Sequence, residues 1–366
     1  MLILKGNVLG DLGRLDEAEG AYRDAAAIRP LKIYPAANGV PDFRALLLFS
    51  PSCSNTPYED LIGNAPFESG TLMLLPGMEY DIAALEGRAD VIVNLVSDAD
   101  RGEAVLRDAE ALLARFRRPV INAPRLVHGT DRLSVARRLA DIPGAIVPRM
   151  VRSSRDEIGN AAAGVGFPLV ARTVGTHGGD AMDLCADIDA LKGYVAQHDD
   201  SEFYLSEFID YRSPDGYFRK YRFMFVGLEI LPYHLAIGEN WKVHHATTGM
   251  AGCPSMQAEE ETFLLEPDRF FGPQAFNALR MISDRIGLDY FGIDCALSAD
   301  GRVIVFEANP SMLVHLHNDA FPYKDKHVLR IKDAFACMLA EKAAQGVGRP
   351  GRSTRRSTTE TPAPTG

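Results

Sequence analysis

No CxxC pair occurs in the chain, and its five cysteines (Cys53, Cys185, Cys253, Cys295 and Cys337) are scattered and odd in number. They read as reduced core or surface thiols in a reducing compartment, so a cytoplasmic protein is expected. No apolar run approaches a membrane span, and Met1-Leu-Ile-Leu-Lys is too short for a signal peptide. No GxGxxG occurs between residues 43 and 124, which leaves a dinucleotide role for that α/β stretch unsupported. Basic residues are in deficit: 39 Lys and Arg against 49 Asp and Glu give a net charge of −10. That balance argues against a general nucleic-acid or anionic-membrane binder. Hydrophobic content of 46% and charged content of 24% are ordinary for a globular protein, and 366 residues suffice for two or three domains.

What is present is chemistry near the C-terminal end. The apolar runs around Asp294 and before Glu307 read as two strands joined by a hairpin turn at Ser298-Ala-Asp-Gly301. In such a hairpin Asp294 and Glu307 come near one another, and Asn309 projects from the same face as Glu307. Two carboxylates and an amide oxygen on an otherwise apolar hairpin suit Mg²⁺, which takes few protein ligands and completes its shell with water and phosphate. The plain alternative is a half-buried hairpin with an acidic edge.

Upstream, Phe167-Pro-Leu-Val-Ala-Arg172 is a short apolar strand ending in a cation, followed by Gly175, Thr176, His177, Gly178 and Gly179. Glycines permit positive φ, so successive backbone N–H groups can turn inward around phosphate oxygens. Thr176 and His177 add side-chain donors, and Arg172 can fork onto two oxygens. After this loop comes Tyr204-Leu-Ser-Glu207-Phe-Ile-Asp210, an apolar strand with an acidic end.

In this order the motifs resemble the ATP-grasp superfamily, over about residues 45–340. Closest is its carboxylate–amine ligase branch, which includes glutathione synthetase, the ribosomal-protein glutamate ligases and D-alanine–D-alanine ligase. The resemblance implies a Rossmann-like α/β domain followed by an ATP-grasp domain of two α+β subdomains. It implies ATP and Mg²⁺ as cofactors, with Asp294, Glu307 and Asn309 as metal ligands. Arg132 and Arg172 match the two phosphate-binding cations. Glu207, Phe208, Ile209 and Asp210 match the hinge that holds adenine, and Arg222 matches an arginine facing the reaction centre. Two departures stand out. Both phosphate cations are usually Lys, and Arg changes the geometry at phosphate. Gly292 stands where some ligases place an arginine two residues before the first metal ligand.

The remaining chain divides into further units. Residues 1–30 follow a tetratricopeptide-like pattern, two helices meeting at Gly13 with Ala18, Tyr22 and Ala25 on the packing face of the second. One repeat cannot bury its own face, so it either packs on the next domain or ends a longer repeat array, and the second arrangement is expected. Residues 31–125 read as the α/β domain, with parallel strands at 44–49, 70–75, 90–96 and 119–122. A helix at 103–116 turns Ala104, Leu106, Leu112, Leu113 and Phe116 to the sheet. Ligands in such sheets usually bind at strand C-terminal ends, which makes residues 50–55 and 97–100 candidate acceptor contacts, with plain polar loops as the leading alternative. Residues 126–345 form the ATP-grasp domain. Within it, residues 218–226 alternate as a half-buried strand with Lys220 and Arg222 on one face. His234, Lys242, His244 and His245 make a cationic cluster that suits a substrate carboxylate, with plain decoration of a strand as the equal alternative. Adjacent histidines on a strand point to opposite faces and are a poor zinc pair. Residues 328–344 read as an amphipathic helix, and 346–366 as a disordered tail.

The expected function is an ADP-forming ligase that joins a carboxylate to an amine through an acyl phosphate, with Arg222 and Arg172 as catalytic residues. Small-molecule or peptide substrates are expected, with a possible protein partner at the tetratricopeptide-like segment. No nucleic-acid or membrane partner is expected. A small-molecule kinase and a non-catalytic ATP-binding module on a repeat scaffold are the alternatives.

Overall fold

The structure, a computed structural model, describes residues 1–176, 181–244 and 248–346. Two helices open the chain, α1 (Leu2–Asp11) and α2 (Leu15–Ile28), and they fold back at Gly13, whose φ of +73° suits a glycine. They approach closely because Gly6 has no side chain: a Cβ there would lie 2.4 Å from the Tyr22 ring. Leu9, Ala18, Ala21, Tyr22 and Ala26 are buried against Met73 and Leu75 of the next unit. The hairpin therefore packs on the following domain. Ala21 and Ala26 complete its inner face, and Ala25 is only half-buried.

A first sheet contains β1 (Leu31–Tyr34), β2 (Arg44–Phe49), β3 (Glu68–Met73), β4 (Val91–Asn94) and β5 (Val120–Ile121). Its helices are α3 (Glu59–Ile62), α4 (Ile82–Glu86) and α5 (Glu103–Leu113). The strand order is β1-β3-β2-β4-β5, with β1 antiparallel to β3 and the other neighbours parallel. Leu46, Leu47, Leu48, Ile92 and Val93 are buried, as expected of strands covered on both faces. On α5, Leu106, Ala109, Leu112 and Leu113 are buried, with Phe116 just beyond its end. Ala104 is exposed, because the inward face of the helix runs through Leu106 and Ala109.

Next, α6 (Pro124–Val127), α7 (Arg132–Leu139) and β6 (Ala145–Ile146) lead into a second sheet. It is built from β7 (Met150–Ser154), β8 (Leu169–Thr173), β9 (Met182–Cys185) and β10 (Glu202–Glu207), antiparallel throughout in the order β7-β10-β8-β9. Two helices, α8 (Ile158–Val165) and α9 (Ile188–Ala196), pack on it. This arm has its own apolar core, including Ala162, Leu169, Ala171, Leu191, Phe203 and Leu205.

The third sheet joins β11 (Phe218–Val226), β12 (Glu229–Gly238), β13 (Tyr290–Leu297) and β14 (Val303–Asn309) to β6, in the order β12-β11-β13-β14-β6. Alternation along β11 splits its side chains between two cores. Phe223 and Phe225 share a core with Phe263 of α10 (Pro254–Leu265) and Leu279 of α11 (Pro273–Ile286). Met224 and Val226 turn to Val328, Ile331 and Phe335 of α12 (Asp325–Gly346). The same core takes in Leu47 and Val93 of the first sheet, so α12 ties the first and third sheets together. Gly346, where the expected tail begins, is the last residue of α12; residues 347–366 lie outside the described residues. Among the described residues no helix is long and apolar enough to cross a membrane.

Candidate active site

The hairpin of β13 and β14 forms for local reasons. Gly301, at a φ of +79°, donates its N–H to Ser298 O at 2.9 Å, and Ser298 N–H donates to Arg302 O at 2.9 Å. From the turn the register runs through Leu297–Val303 to Cys295–Val305. The pairing then slips between Cys295 and Asp294, which sets Asp294 opposite Glu307 rather than Phe306 and Gly292 opposite Asn309. Such an irregularity re-aims side chains, and Phe306 and Glu307 both line the neighbouring cavity.

Cations surround the two carboxylates. Arg222 donates through Nε to Asp294 Oδ1 at 2.6 Å and through Nη2 to Oδ2 at 2.9 Å. Lys220, two residues away on the same face of β11, donates Nζ to Oδ2 at 3.0 Å. Glu307 accepts from Arg132 Nη2. Arg132 opens α7, whose N-terminus is capped by Asp131 accepting from Ser134 N–H at 3.0 Å. Burial alone would raise the Asp294 carboxyl, but Arg222 and Lys220 hold it well below the usual carboxylate range. Burial acts on Glu307 in the same direction and is outweighed chiefly by Arg132, so its carboxyl also falls below the ordinary value. Arg222 is itself largely enclosed, its side chain 17% exposed, and Asp294 secures its charge.

A cavity of about 550 Å³ lies between the second and third sheets. Its walls combine Met150, Val170, Arg172 and Tyr204 with Lys220, Arg222, Asp294 and Glu307. Toward the connecting segments the lining turns aromatic and apolar, with Phe208, Ile209, Tyr211, Trp241 and Phe306. Phe208 and Trp241 meet edge to face at 5.8 Å between centroids. Tyr211 fixes the Trp241 segment by donating its hydroxyl to Trp241 O at 2.5 Å. Lys242 spans to the second sheet, donating Nζ to Met182 O at 2.9 Å.

The residues named from sequence separate into three groups. Arg132, Arg172, Glu207, Phe208, Ile209, Arg222, Asp294 and Glu307 all line the cavity, as do Lys242 and His244. Others stand apart from its lining. Asn309 turns its amide oxygen to Ser311, accepting from N at 3.0 Å and from Oγ at 2.8 Å. Asp210 accepts from Arg212 N–H at 3.0 Å, and His234 is buried on β12 opposite Arg222. Gly175 has a φ of +75°, and Thr176 accepts from Arg172 Nε at 3.0 Å. The third group, His177, Gly178, Gly179 and His245, lies outside the described residues. Sequence reasoning gave no role to Lys220 or to the walls Tyr204, Tyr211 and Trp241. For Lys220 the alternation of β11 was the available signal.

No family model matches the chain, and no curated protein matches it. Solved structures do. The VanG D-Ala:D-Ser ligase from Enterococcus faecalis aligns at 11% identity and a TM-score of 0.50, over 81% of this chain and 99% of that one. A RimK domain ATP-grasp protein from Sphaerobacter thermophilus aligns at 20% identity and a TM-score of 0.47, over 82% and 99%. A D-alanine–D-alanine ligase from Bacillus anthracis aligns at 14% identity and 0.49, over 83% and 98%. At such identities the likeness is one of fold. The chain has the ATP-grasp fold, an α/β sheet followed by two α+β subdomains.

Proposed function

We propose that the protein is an ATP- and Mg²⁺-dependent ligase that joins a carboxylate to an amine through an acyl phosphate. The observation that carries this reading is the register pair Asp294–Glu307, set in a cation-lined cavity between two sheets. The apolar end at Phe208, Ile209 and Trp241 suits a base, and the end at Arg132, Arg172 and Lys220 suits phosphates.

The donor chemistry fits Mg²⁺: Asp294 and Glu307 offer hard carboxylate oxygens from adjacent strands. Among the described residues no cluster of three or more His, Cys, Asp or Glu side chains suits a metal, so water and phosphate must complete the shell. When bound, Mg²⁺ would neutralise charge developing on the transferred phosphoryl group. Arg132 and Arg172 bind and orient the phosphates. Arg222, anchored by Asp294, would present fixed positive charge to the carbonyl oxygen that takes up negative charge when the amine attacks the acyl carbon. The likeness in fold to a D-Ala:D-Ser ligase supports amino-acid or peptide substrates. The exposed Leu4 and Val8 on α1, with Leu12 just beyond its end, leave a side for a protein partner, as the tetratricopeptide-like pattern implies.

One observation favours a second reading, a nucleotide-binding module without catalysis. Both Asp294 oxygens and the Asn309 amide oxygen already accept hydrogen bonds. Release of ADP from ATP, assayed with amino acids and small peptides in the presence of Mg²⁺, decides between them. A ligase releases ADP only when carboxylate and amine are both supplied, and a binding module releases none.

A further inference from the structure

We propose that Asp100 and Arg101, in the turn after β4, are positioning residues that hold the arm carrying Arg172 in place over the cavity. The inference rests on the reading above that Arg172 and the glycine-bearing segment after β8 meet nucleotide phosphate.

The turn is built to hold its shape. Asp98 Oδ1 accepts from the N–H groups of Asp100 at 3.1 Å and Arg101 at 2.8 Å, so its carboxylate is taken up by its own loop. Gly102 closes the turn where a Cβ would stand 2.3 Å from Asp98 O. From this base two side chains reach the second sheet. Tyr204 donates its hydroxyl to Asp100 Oδ1 at 2.5 Å, and Arg152 stands 4.0 Å from the same oxygen. Arg101 donates Nη2 to Val174 O at 3.2 Å. Its guanidinium lies against Gly175, where a Cβ would come within 2.3 Å of Arg101 Nε.

These two grips bracket Arg172. Tyr204 is its partner in register on β10, and Val174 lies two residues further along the chain. The arm needs such ties because its apolar core is separate from the cores that join the first and third sheets. A lobe with its own core and a mostly polar boundary is free to swing unless specific contacts hold it. Lys242, bonded to Met182 O, ties the arm from the opposite side. Asp100 and Arg101 thus set where Arg172 stands without touching nucleotide themselves.

The test uses the full chain and four variants, Arg101→Ala, Arg101→Lys, Asp100→Ala and Tyr204→Phe. MgADP is titrated by Trp241 fluorescence, and hydrogen exchange is followed at the amides of Val174, Gly175 and Thr176. Arg101→Ala and Asp100→Ala should each weaken MgADP by roughly five- to tenfold, the loss of one charge-assisted hydrogen bond, and speed exchange at those amides. Arg101→Lys should recover part of the affinity. Asp100→Ala and Tyr204→Phe together should cost no more than the worse of the two, since they remove one shared bond. If wild type binds MgADP and all variants bind it equally with unchanged exchange, the positioning role is overturned and the nucleotide reading stands. If wild type binds no MgADP, the phosphate reading fails and takes this use of the arm with it.

Discussion

Arg222 and Asp294 face each other across β11 and β13, joined by two hydrogen bonds of 2.6 and 2.9 Å. Asp294 is buried and the Arg222 side chain is only 17% exposed, and each holds the other charged in that setting. Arg222→Ala leaves the Asp294 carboxylate to Lys220 alone. Breaking a buried pair from one side costs roughly 3–5 kcal/mol, so this variant should melt at a clearly lower temperature and lose turnover. Thermal melting and ADP release measured together check this. A variant that melts like wild type would show that the pair is not holding the sheet.

Glu307→Gln separates metal chemistry from packing. The amide keeps an acceptor for Arg132 but loses the charge that Mg²⁺ requires. ATP turnover should fall at least tenfold with the fold largely preserved, since metal contributions run to several kcal/mol. Unchanged turnover would remove Glu307 from the metal site.

Much of this site was legible from local sequence. The turn at Ser298–Gly301 makes the hairpin that lays β13 beside β14, and alternation along β11 places Lys220 beside Arg222; the slip that brings Asp294 opposite Glu307 rather than Phe306 carries no local sequence signal. The salt-bridge partners were not legible, because they are non-local. Arg132 reaches Glu307 across 175 residues, and Lys220 reaches Asp294 across 74. Tyr204 meets Asp100 across 104 residues, a contact that only the tertiary fold makes. Asn309 teaches the opposite lesson. Its oxygen is drawn to Ser311, two residues on, by the side-chain-to-backbone turn that Asn favours in Asn-Pro-Ser, a local competitor to the metal role. The edge strand β1 was passed over because its half-exposed Leu-Lys-Ile-Tyr carries no long apolar run.

Arg172 tests the phosphate end. Its guanidinium lines the cavity from β8, so Arg172→Ala should weaken MgATP binding and abolish turnover. Arg172→Lys keeps the charge, gives up the fork and should retain partial activity. MgATP bound as tightly by the Ala variant as by wild type would make Arg172 a structural cation.

His327 predicts acid sensitivity. It is buried on α12, and neither ring nitrogen has a hydrogen-bond partner among the described residues. Burial, aided by Lys326 and Arg330, pushes its pKa from the ordinary 6.5 down to about 4. The unfolded chain therefore takes up this proton more readily than the folded one. Its contribution is complete above pH 6.5, falls as pH drops toward about 4 and changes no further below that. Between pH 7.5 and 4 the melting temperature of wild type should fall more steeply with acid than that of His327→Leu. Parallel curves would show that His327 does not titrate in this way.

The account centres on a cavity that activates a carboxylate with ATP for capture by an amine. Its most direct test is ADP release by the purified protein, screened over amino acids and small peptides with Mg²⁺. The account predicts release that requires both a carboxylate and an amine, and that yields a product joining the two. A stable phosphorylated product formed without any amine would contradict it in favour of a kinase. ATP binding with no ADP release under any substrate would contradict it in favour of a non-catalytic module.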